Sequence, residues 1–318
     1  MKLSVVLGTY NRLDQLIRCV ESIVRETRVL TKIYVTDAGS TDGTIEYLQS
    51  IASETIIPIL VGEKLGQAKA YNDVFEIVDT PYVCWLSDDN EVTGAGLDRA
   101  IGILESDPRI GMVALKTRDV QGPFLGTPYI GGISPAGILN VNQGMLPTSV
   151  LREVGGFSEE FRDYGIDPAL TAEVLFSGYK IVYTREVALL HYRNWNEDPK
   201  SENRQWIRER HARAKALYLS RYSPEATGSG RPASKFRNLL KRAGRFFFAR
   251  ASLRNSALAR DFLNVTTAKY INFMDPVLTW NKPYHLVQKI AAGRQRIAQT
   301  YSEAQESGNK TVEGLSLD

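Results

Sequence analysis

The sequence predicts a doubly wound α/β domain built on a mostly parallel, Rossmann-like sheet. Strand-like apolar runs and helix-like segments alternate four times over about the first hundred residues. Because such alternation requires right-handed crossovers, the strands are expected to run parallel, with helices packed on the sheet. Each predicted strand ends in small or polar residues, and parallel strands place those ends at one edge of the sheet. Ligands of open α/β sheets bind at that edge.

The element boundaries follow from hydrophobic periodicity and from turn residues. Strands are predicted at 3–7, 33–35, 56–61, 82–86, 111–115, 181–183 and 187–190. Helices are predicted at 13–24, 45–51, 67–78, 95–104 and 205–222, with one more after Asp167. Glycine and proline are dense between residues 122 and 144, which is typical of an irregular segment that shapes a pocket or of a long surface loop.

The composition changes after the last of these helices. Residues 223–232 are predicted to form a linker, residues 233–301 a basic helical extension, and residues 302–318 a disordered polar tail. Residues 231–260 contain nine Lys or Arg and no Asp or Glu, interleaved with aromatic and aliphatic side chains. This pattern favours a helix on an anionic membrane surface. Packing within the chain or in a homo-oligomer is a close alternative, and nucleic-acid binding is not expected.

The overall composition indicates an ordinary globular protein. The apolar fraction is 43% and the formal net charge is +3, so the average charge identifies no partner. Cys19 and Cys84 lie in apolar contexts and are interpreted as buried free thiols in a reducing compartment. The N-terminal apolar run is too short for a signal peptide, and no run approaches the length of a membrane span. We therefore expect a cytoplasmic protein, peripheral on the inner membrane face if residues 231–260 bind lipid.

Two adjacent carboxylates follow the predicted strand at 82–86. Asp88 and Asp89 repel each other, and placing both beside a buried strand is unfavourable unless a cation offsets their charge. A hard divalent ion, Mn2+ or Mg2+, would offset it and would bridge to a diphosphate. The alternative is a solvated turn in which Asp89 or Asn90 caps the next helix.

Asp37 follows the second predicted strand. Its carboxylate is able to accept hydrogen bonds from a nucleoside, and the alternative is an Asx-turn in a glycine-rich connection. The sequence lacks both the Gly-x-Gly-x-x-Gly fingerprint and the Walker phosphate loop. A nucleotide at this edge would therefore not be NAD or ATP held by those loops.

Three motifs together resemble the family 2 glycosyltransferases, which have the GT-A fold. They are residues 6–12, Val-Leu-Gly-Thr-Tyr-Asn-Arg; residues 35–44, Val-Thr-Asp-Ala-Gly-Ser-Thr-Asp-Gly-Thr; and residues 86–90, Leu-Ser-Asp-Asp-Asn. They occur in the family's order and at about its spacing, and the resemblance extends over about residues 1–220. It implies a GT-A catalytic domain at 1–222, with a nucleotide-sugar half at about 1–117 and an acceptor half at about 118–222.

The resemblance also implies roles for individual residues. Asp37 would bind the base, which is uracil in the best-known members. Asp89 matches the last acid of the metal-binding Asp-x-Asp motif, with Asp88 as a second carboxylate, and His191 matches a metal ligand of some members. Without the family, a histidine that closes an apolar run is a packed or surface side chain. The residues placed around the nucleotide are Thr9, Tyr10, Arg12, Asp37, Lys64, Gly66, Asn72 and Asp88.

A second resemblance lies in residues 154–170. This segment is similar to the family's Gly-Gly-Phe motif and to the Glu-Asp motif downstream, whose second acid deprotonates the acceptor hydroxyl and corresponds to Asp167. An Asp before Pro168 is also typical of a helix N-cap, and Asp163 is a competing candidate for the base. Departures from the family are Ala38 for the second Asp of Asp-Asp-Gly-Ser, Ser87 for the first acid of Asp-x-Asp, and Ile166 for the Glu.

The resemblance implies an inverting enzyme that moves one sugar from a nucleotide-diphosphate sugar, a UDP-sugar first of all, to a hydroxyl. The acceptor would be a sugar or a lipid-linked molecule in glycan, cell-surface polysaccharide or glycolipid synthesis. The Gln-x-x-Arg-Trp motif of processive members is absent, which favours a single transfer. One alternative is an inactive GT-A module that holds sugar nucleotides or acts as a scaffold, which the missing acids favour. The other is a nucleotidyltransferase, although its glycine-rich first loop is absent.

Overall fold

The computed structural model describes residues 1–122, 129–130, 132–133, 139–184, 186–193, 202–222 and 284–286. The strands are β1 Leu3–Thr9, β2 Thr31–Asp37, β3 Ile56–Leu60, β4 Tyr82–Ser87, β5 Asn90–Val92, β6 Ile110–Ala114, β7 Thr117–Asp119, β8 Tyr129–Ile130, β9 Gly132–Ile133, β10 Leu139–Asn140, β11 Gly144–Pro147, β12 Lys180–Thr184, β13 Leu189–His191 and β14 Tyr284–Leu286. The helices are α1 Leu13–Glu26, α2 Thr44–Ile51, α3 Gln67–Ile77, α4 Gly96–Ser106, α5 Thr148–Val154, α6 Ile166–Phe176 and α7 Glu202–Tyr222, and a 3-10 turn spans Glu159–Phe161.

The main sheet has the order β14-β12-β6-β11-β4-β1-β2-β3. Strands β3, β2, β1 and β4 are parallel neighbours, and β12 is parallel to β6. Strand β11 lies antiparallel between β4 and β6, and β14 runs antiparallel to β12 at one edge. A smaller sheet has the order β5-β13-β7-β8. The predicted α/β class with a mostly parallel sheet is therefore confirmed.

The alternation of side chains along β1 divides the core into two layers. Val5 and Leu7 belong to the cluster beneath α1 and α4, whereas Val6 belongs to the cluster beneath α3 and α6. Successive strand residues point to opposite faces, so an all-apolar strand is expected only where helices cover both faces. The apolar run at the N-terminus therefore specifies a central strand.

Several expectations about local structure were wrong. Strand β11 and helix α5 were not predicted, and the predicted strand near Leu189 belongs to the smaller sheet. Asn90 begins β5, and the next helix starts only at Gly96, so neither Asp89 nor Asn90 caps a helix. Asp167 lies in the first turn of α6, whose N-cap is Gly165, so it is not the N-cap residue.

The C-terminal predictions lie mainly outside the described residues. These are the linker at 223–232, the basic stretch at 231–260 and the polar tail at 302–318. Within the predicted helical extension at 233–301, the described part is strand β14. None of the helices in the described part of the chain is long and apolar enough to cross a membrane.

Candidate active site

The site lies where the strand order of the main sheet reverses direction. Strand β1 pairs with β2 on one side and β4 on the other, with Thr9 opposite Asp37 and Gly8 opposite Ser87. Strand order 3-2-1-4 makes this the switch point at which the loops diverge and leave a crevice. The carboxyl ends of β1, β2 and β4 therefore meet at one place, as the sequence predicts.

A cavity of about 400 Å³ opens at this crevice. Gly66 lies in its wall at a position that requires glycine, because its φ is +92° and a Cβ built there would lie 2.6 Å from Cγ of Arg162. The Nζ of Lys64 stands 3.6 Å above the ring of Tyr10, so a cation faces the cavity. Its lining includes six predicted nucleotide-binding residues, namely Thr9, Tyr10, Arg12, Lys64, Gly66 and Asp88.

Asp88 is buried at the floor of this cavity and uses both of its oxygens. Oδ2 accepts a hydrogen bond from the Thr9 hydroxyl at 2.9 Å, and Oδ1 accepts one from Nη1 of Arg12 at 2.9 Å. Burial raises the pKa of Asp88 to about 6, although the charge of Arg12 opposes this shift. The same Arg12 nitrogen lies 3.3 Å from Oδ2 of Asp89. One guanidinium therefore bridges the two adjacent carboxylates.

Asp89 turns its other oxygen towards His191. Oδ1 of Asp89 is buried and lies 3.2 Å from Nε2 of His191, and it accepts no hydrogen bond of good geometry from the described residues. Nδ1 of His191 is 2.6 Å from Oδ1 of Asp119. Burial opposes the charged imidazolium, but the interactions with Asp119 and Asp89 outweigh it and raise the pKa of His191 to about 8.

These residues fit a divalent metal held partly by the protein and partly by a substrate. No three His, Cys, Asp or Glu side chains in the described part of the chain form a complete metal site. Asp89 Oδ1 and His191 Nε2 nevertheless offer two adjacent ligand atoms 3.2 Å apart, and the buried oxygen accepts no hydrogen bond of good geometry from the described residues. Mg2+ is commonly held by one or two carboxylates and by substrate phosphates, and Mn2+ also accepts imidazole. Asp88 is the weaker ligand candidate because both of its oxygens are already bonded.

A second cavity, of about 610 Å³, adjoins the first and contains Asp89, His191 and Asp167 in its wall. Asp167 is partly buried there, and burial raises its pKa to about 8 against the effect of the nearby donors of Trp85 and Asn142. The Asn142 amide lies 3.5 Å from its Oδ2. The two cavities share six lining residues, which are Arg12, Gln67, Tyr71, Ser87, Asp163 and Tyr164.

Asp163, the competing candidate for the base, is held by other groups. Its Oδ1 accepts a hydrogen bond from the backbone N–H of Gln67, the first residue of α3, at 3.1 Å. Its Oδ2 lies 2.8 Å from Nη1 of Arg210 on α7. Both oxygens of Asp163 are therefore engaged by groups of α3 and α7, and this carboxylate joins the two helices.

Two predicted nucleotide-binding residues do not line either cavity. Asp37 is fully buried, and its carboxylate accepts hydrogen bonds from the backbone of Gly39 and Ser40 and from the Ser40 hydroxyl. These bonds form the Asx-turn that is the alternative interpretation of Asp37, and its neighbour Ala38 lines the first cavity. Asn72 exchanges two hydrogen bonds of 2.8 Å with the backbone of Phe157 and so fastens α3 to the glycine turn.

Sequence reasoning missed several residues of the two cavities. Gln143 precedes β11, donates to the Ser87 hydroxyl at 2.9 Å and lines the second cavity. Other residues come from the turn before α6 and from α7, whose place beside this site has no local signal in the sequence. Among the missed residues of the first cavity are Arg162, Tyr164, Trp206 and Arg210.

Comparison with known proteins finds a family match in the N-terminal part of the chain. Residues 4–142, somewhat less than half of the chain, match the model of Glycosyl transferase family 2. This part of the chain is similar to the family 2 glycosyltransferases. The chain is 29% identical over 116 residues to the uncharacterised glycosyltransferase alr2836 of Nostoc sp. (strain PCC 7120). This match covers 36% of this chain and 36% of alr2836. The chain is also 30% identical over 92 residues to the uncharacterised glycosyltransferase YibD of Escherichia coli (strain K12), which covers 29% of this chain and 27% of YibD. The match thus spans about a third of these relatives.

Solved structures share the fold of the described part of the chain. TarS 1–349 from S. aureus in complex with UDP-GlcNAc has a TM-score of 0.53 at 15% identity and covers 97% of this chain and 92% of that one. The mannosyltransferase PcManGT from Pyrobaculum calidifontis in complex with GDP-Man and Mn2+ has a TM-score of 0.52 at 18% identity and covers 96% and 88%. At such low identity the likeness shows the GT-A fold alone.

Proposed function

We propose that this chain is an inverting glycosyltransferase that moves a single sugar from a nucleoside-diphosphate sugar to a hydroxyl acceptor. The acceptor is a sugar or a lipid-linked molecule of glycan, cell-surface polysaccharide or glycolipid synthesis. One observation carries the proposal. Two cavities adjoin at Ser87, with basic and aromatic residues around the first and a carboxyl of raised pKa in the second.

The first cavity suits the donor. Its wall carries Arg12, Lys64, Arg162 and Arg210, so cationic side chains surround the space in which a diphosphate would lie. A nearby aromatic ring, Tyr10, is 39% exposed and available for stacking. UDP-sugars and GDP-sugars are the donors to test first, because the two structural neighbours were solved with UDP-GlcNAc and GDP-Man.

The second cavity suits the acceptor and its deprotonation. The acceptor oxygen would attack the anomeric carbon while the bond from that carbon to the phosphate oxygen breaks and the nucleoside diphosphate leaves. Asp167, in its ionised form, takes the hydroxyl proton, and the single displacement from the opposite face inverts the anomeric centre. A raised pKa makes Asp167 a stronger base than an ordinary Asp, whereas Asp163 is held by Arg210.

A divalent metal, Mn2+ or Mg2+, would supply charge neutralisation for the departing diphosphate, with Asp89 and His191 as its protein ligands. The chain's own residues complete the arrangement. Asp88 holds Arg12 and Thr9 at the junction of the cavities, and Arg12 is close enough to both carboxylates to neutralise charge there.

The test uses the purified full chain with Mn2+ and either UDP-GlcNAc or GDP-Man. We expect slow release of UDP or GDP, even without an acceptor, because water is able to replace the acceptor hydroxyl. Asp89→Ala should abolish this release, whereas Asp107→Asn, which changes a distant carboxylate in an ion-pair cluster, should not. An inactive sugar-nucleotide-binding module would bind the donor, as seen by thermal shift, without releasing nucleotide. Release of pyrophosphate from a nucleoside triphosphate would instead indicate a nucleotidyltransferase.

We also propose that the protein is cytoplasmic and contacts an anionic membrane through residues 231–260. The support is the sequence of that stretch, with nine basic residues and no acidic ones. Co-sedimentation with liposomes that contain phosphatidylglycerol should fall when residues 231–260 are deleted and when salt is raised. Equal sedimentation with and without the stretch would exclude the membrane assignment.

A further inference from the structure

Asp119 is a buried carboxylate at the end of β7 that the sequence did not single out. Only 3% of its surface is exposed, although a lone carboxylate is costly to bury. The smaller sheet explains its place. In the parallel pair β13–β7, Asp119 stands opposite His191, and in the antiparallel pair β13–β5 the same His191 stands opposite Asn90. The sheet register therefore fixes His191 between Asp119 and the turn that carries Asp89.

The ring of His191 lies between the carboxylates of Asp119 and Asp89. Oδ1 of Asp119 lies 2.6 Å from Nδ1 of His191 and 3.3 Å from Nε of Arg193, which donates to it. On the opposite side of the ring, Nε2 faces the buried Oδ1 of Asp89 at 3.2 Å, and that oxygen has no hydrogen bond of good geometry. The backbone N–H of Tyr192 also donates to the carbonyl of Asp89 at 2.9 Å, which holds the two segments together.

We infer that Asp119 is a positioning residue that accepts the Nδ1 proton of His191 and so presents the Nε2 lone pair, beside Asp89, to a divalent cation. The inference rests on the proposed function, in which Asp89 and His191 are the metal ligands. It goes beyond that function by assigning a role to Asp119, which itself contacts neither substrate nor metal. The physical reason is that a ring nitrogen coordinates a metal only when it is unprotonated, and the bond made by the other nitrogen selects the tautomer. A second-layer carboxylate also fixes the ring orientation.

The variant Asp119→Asn tests this with two readouts that need no catalysis. The first is binding of Mn2+ alone to the full chain, measured from the signal of free Mn2+ by electron paramagnetic resonance. We expect the affinity to fall by about 10–100-fold, the usual effect of losing a second-layer carboxylate. Asp107→Asn is the matched control, since Asp107 is a buried carboxylate paired with Arg109 and Lys180 away from the cavities. It should leave Mn2+ binding unchanged.

The second readout is the histidine tautomer in the metal-free protein. The chain has three histidines, so nitrogen-15 labelling of histidine gives a simple spectrum, and the His191 signal is assigned by its loss in His191→Gln. At a pH where the ring is neutral, wild-type His191 should carry its proton on Nδ1, and Asp119→Asn should shift the population towards Nε2–H. A wild-type proton on Nε2 would overturn the inference even if Asp119→Asn fails to fold.

The two proposals fail in different ways. Unchanged Mn2+ affinity in folded Asp119→Asn, or absence of Mn2+ binding by the wild type, overturns the role of Asp119. Binding of UDP and GDP is measured on the same samples with EDTA present, and it should be equal in wild type and variant. If the wild type binds neither nucleotide nor nucleotide sugar, whether EDTA or Mn2+ is present, the proposed glycosyl transfer is refuted, whatever the tautomer of His191.

Discussion

Replacement of Asp167 by Asn is the most informative perturbation of the second cavity. The side chain keeps its shape but loses the ability to accept the acceptor proton. Loss of a general base typically lowers kcat by about 10²–10⁴-fold, and we expect a fall in that range. Asp163→Asn is the matched comparison, because it changes a neighbouring acid that is bonded to Gln67 and Arg210. It should keep the pH profile of the wild type, even if the contact between α3 and α7 weakens.

The raised pKa of Asp167 predicts the form of the pH profile. With a pKa of about 8, only about 10% of the carboxyl is ionised at pH 7, and about 90% is ionised at pH 9. Because the ionised form is the base, kcat/KM should rise about tenfold between these two pH values and level off above them. Asn142→Leu removes a donor to the carboxylate and should move the rise to higher pH, since hydrogen bonds to the charged form lower a pKa.

The raised pKa of Asp167 also predicts how stability depends on pH. Whereas activity should rise with pH, the contribution of Asp167 to stability should fall. The folded pKa of Asp167 is raised above the unfolded value, so its contribution is favourable below about pH 4 and is lost as the pH rises towards 8. Asn has no proton to lose. The stability of Asp167→Asn relative to wild type should therefore increase between pH 4 and pH 8.5. Because Asp167 is partly solvated, we expect this increase to be about 1–2 kcal/mol of unfolding free energy, or a few degrees in Tm.

The assay pairs donor turnover with thermal melts of wild type and both acid variants between pH 4 and pH 9.5. Folded Asp167→Asn that keeps the rise near pH 8 would refute the assignment of the base. So would loss of the rise in Asp163→Asn alone. If Asp167→Asn instead loses stability relative to wild type between pH 4 and pH 8.5, the argument from burial is refuted.

The remaining predictions concern packing. Gly144→Ala should cost about 1–3 kcal/mol of unfolding free energy, because a Cβ there would lie 2.6 Å from the ring of Trp85. Gly102→Ala has open space in helix α4 and should instead stabilise by about 0.5–1 kcal/mol in urea denaturation; equal midpoints would contradict the packing argument. Asn72→Leu should cost about 1–3 kcal/mol by unpairing the Phe157 backbone, with UDP affinity unchanged, whereas weaker UDP binding by a stably folded variant would restore the sequence-based role of Asn72.

The parallel part of the fold was predictable because its signals are local. Strands β1 to β4 and their helices have apolar periodicity, and the alternation itself requires the crossovers. Strand β11 has no such signal, since it is four residues long and ends in Pro147 within a segment rich in glycine. Its place between β4 and β6 depends on the close approach of Gly144 to Trp85, a contact between distant parts of the sequence.

The candidate site was predictable only to the level of the loops. Thr9, Arg12 and Asp88 converge because parallel strands end at one edge, as expected from their positions. At the end of β2, however, Thr36 and Ala38 line the cavity and Asp37 between them does not. Successive strand residues point to opposite faces, so a difference of one position decides whether a carboxylate faces the ligand. Motif spacing led to a loop that lines the cavity, although the carboxylate that it selected, Asp37, lies between the two residues that line it.

The argument for a metal also changes once the contacts are known. From the sequence, the expected repulsion between Asp88 and Asp89 predicted a bound cation. In the structure, Arg12 lies between the two carboxylates and supplies positive charge itself, so repulsion alone no longer requires a metal. What still points to one is a single atom, Oδ1 of Asp89, which is buried beside Nε2 of His191 without a hydrogen bond of good geometry. Asp89→Asn should therefore weaken Mn2+ binding strongly, whereas Asp88→Asn should chiefly release Arg12 and weaken nucleotide binding.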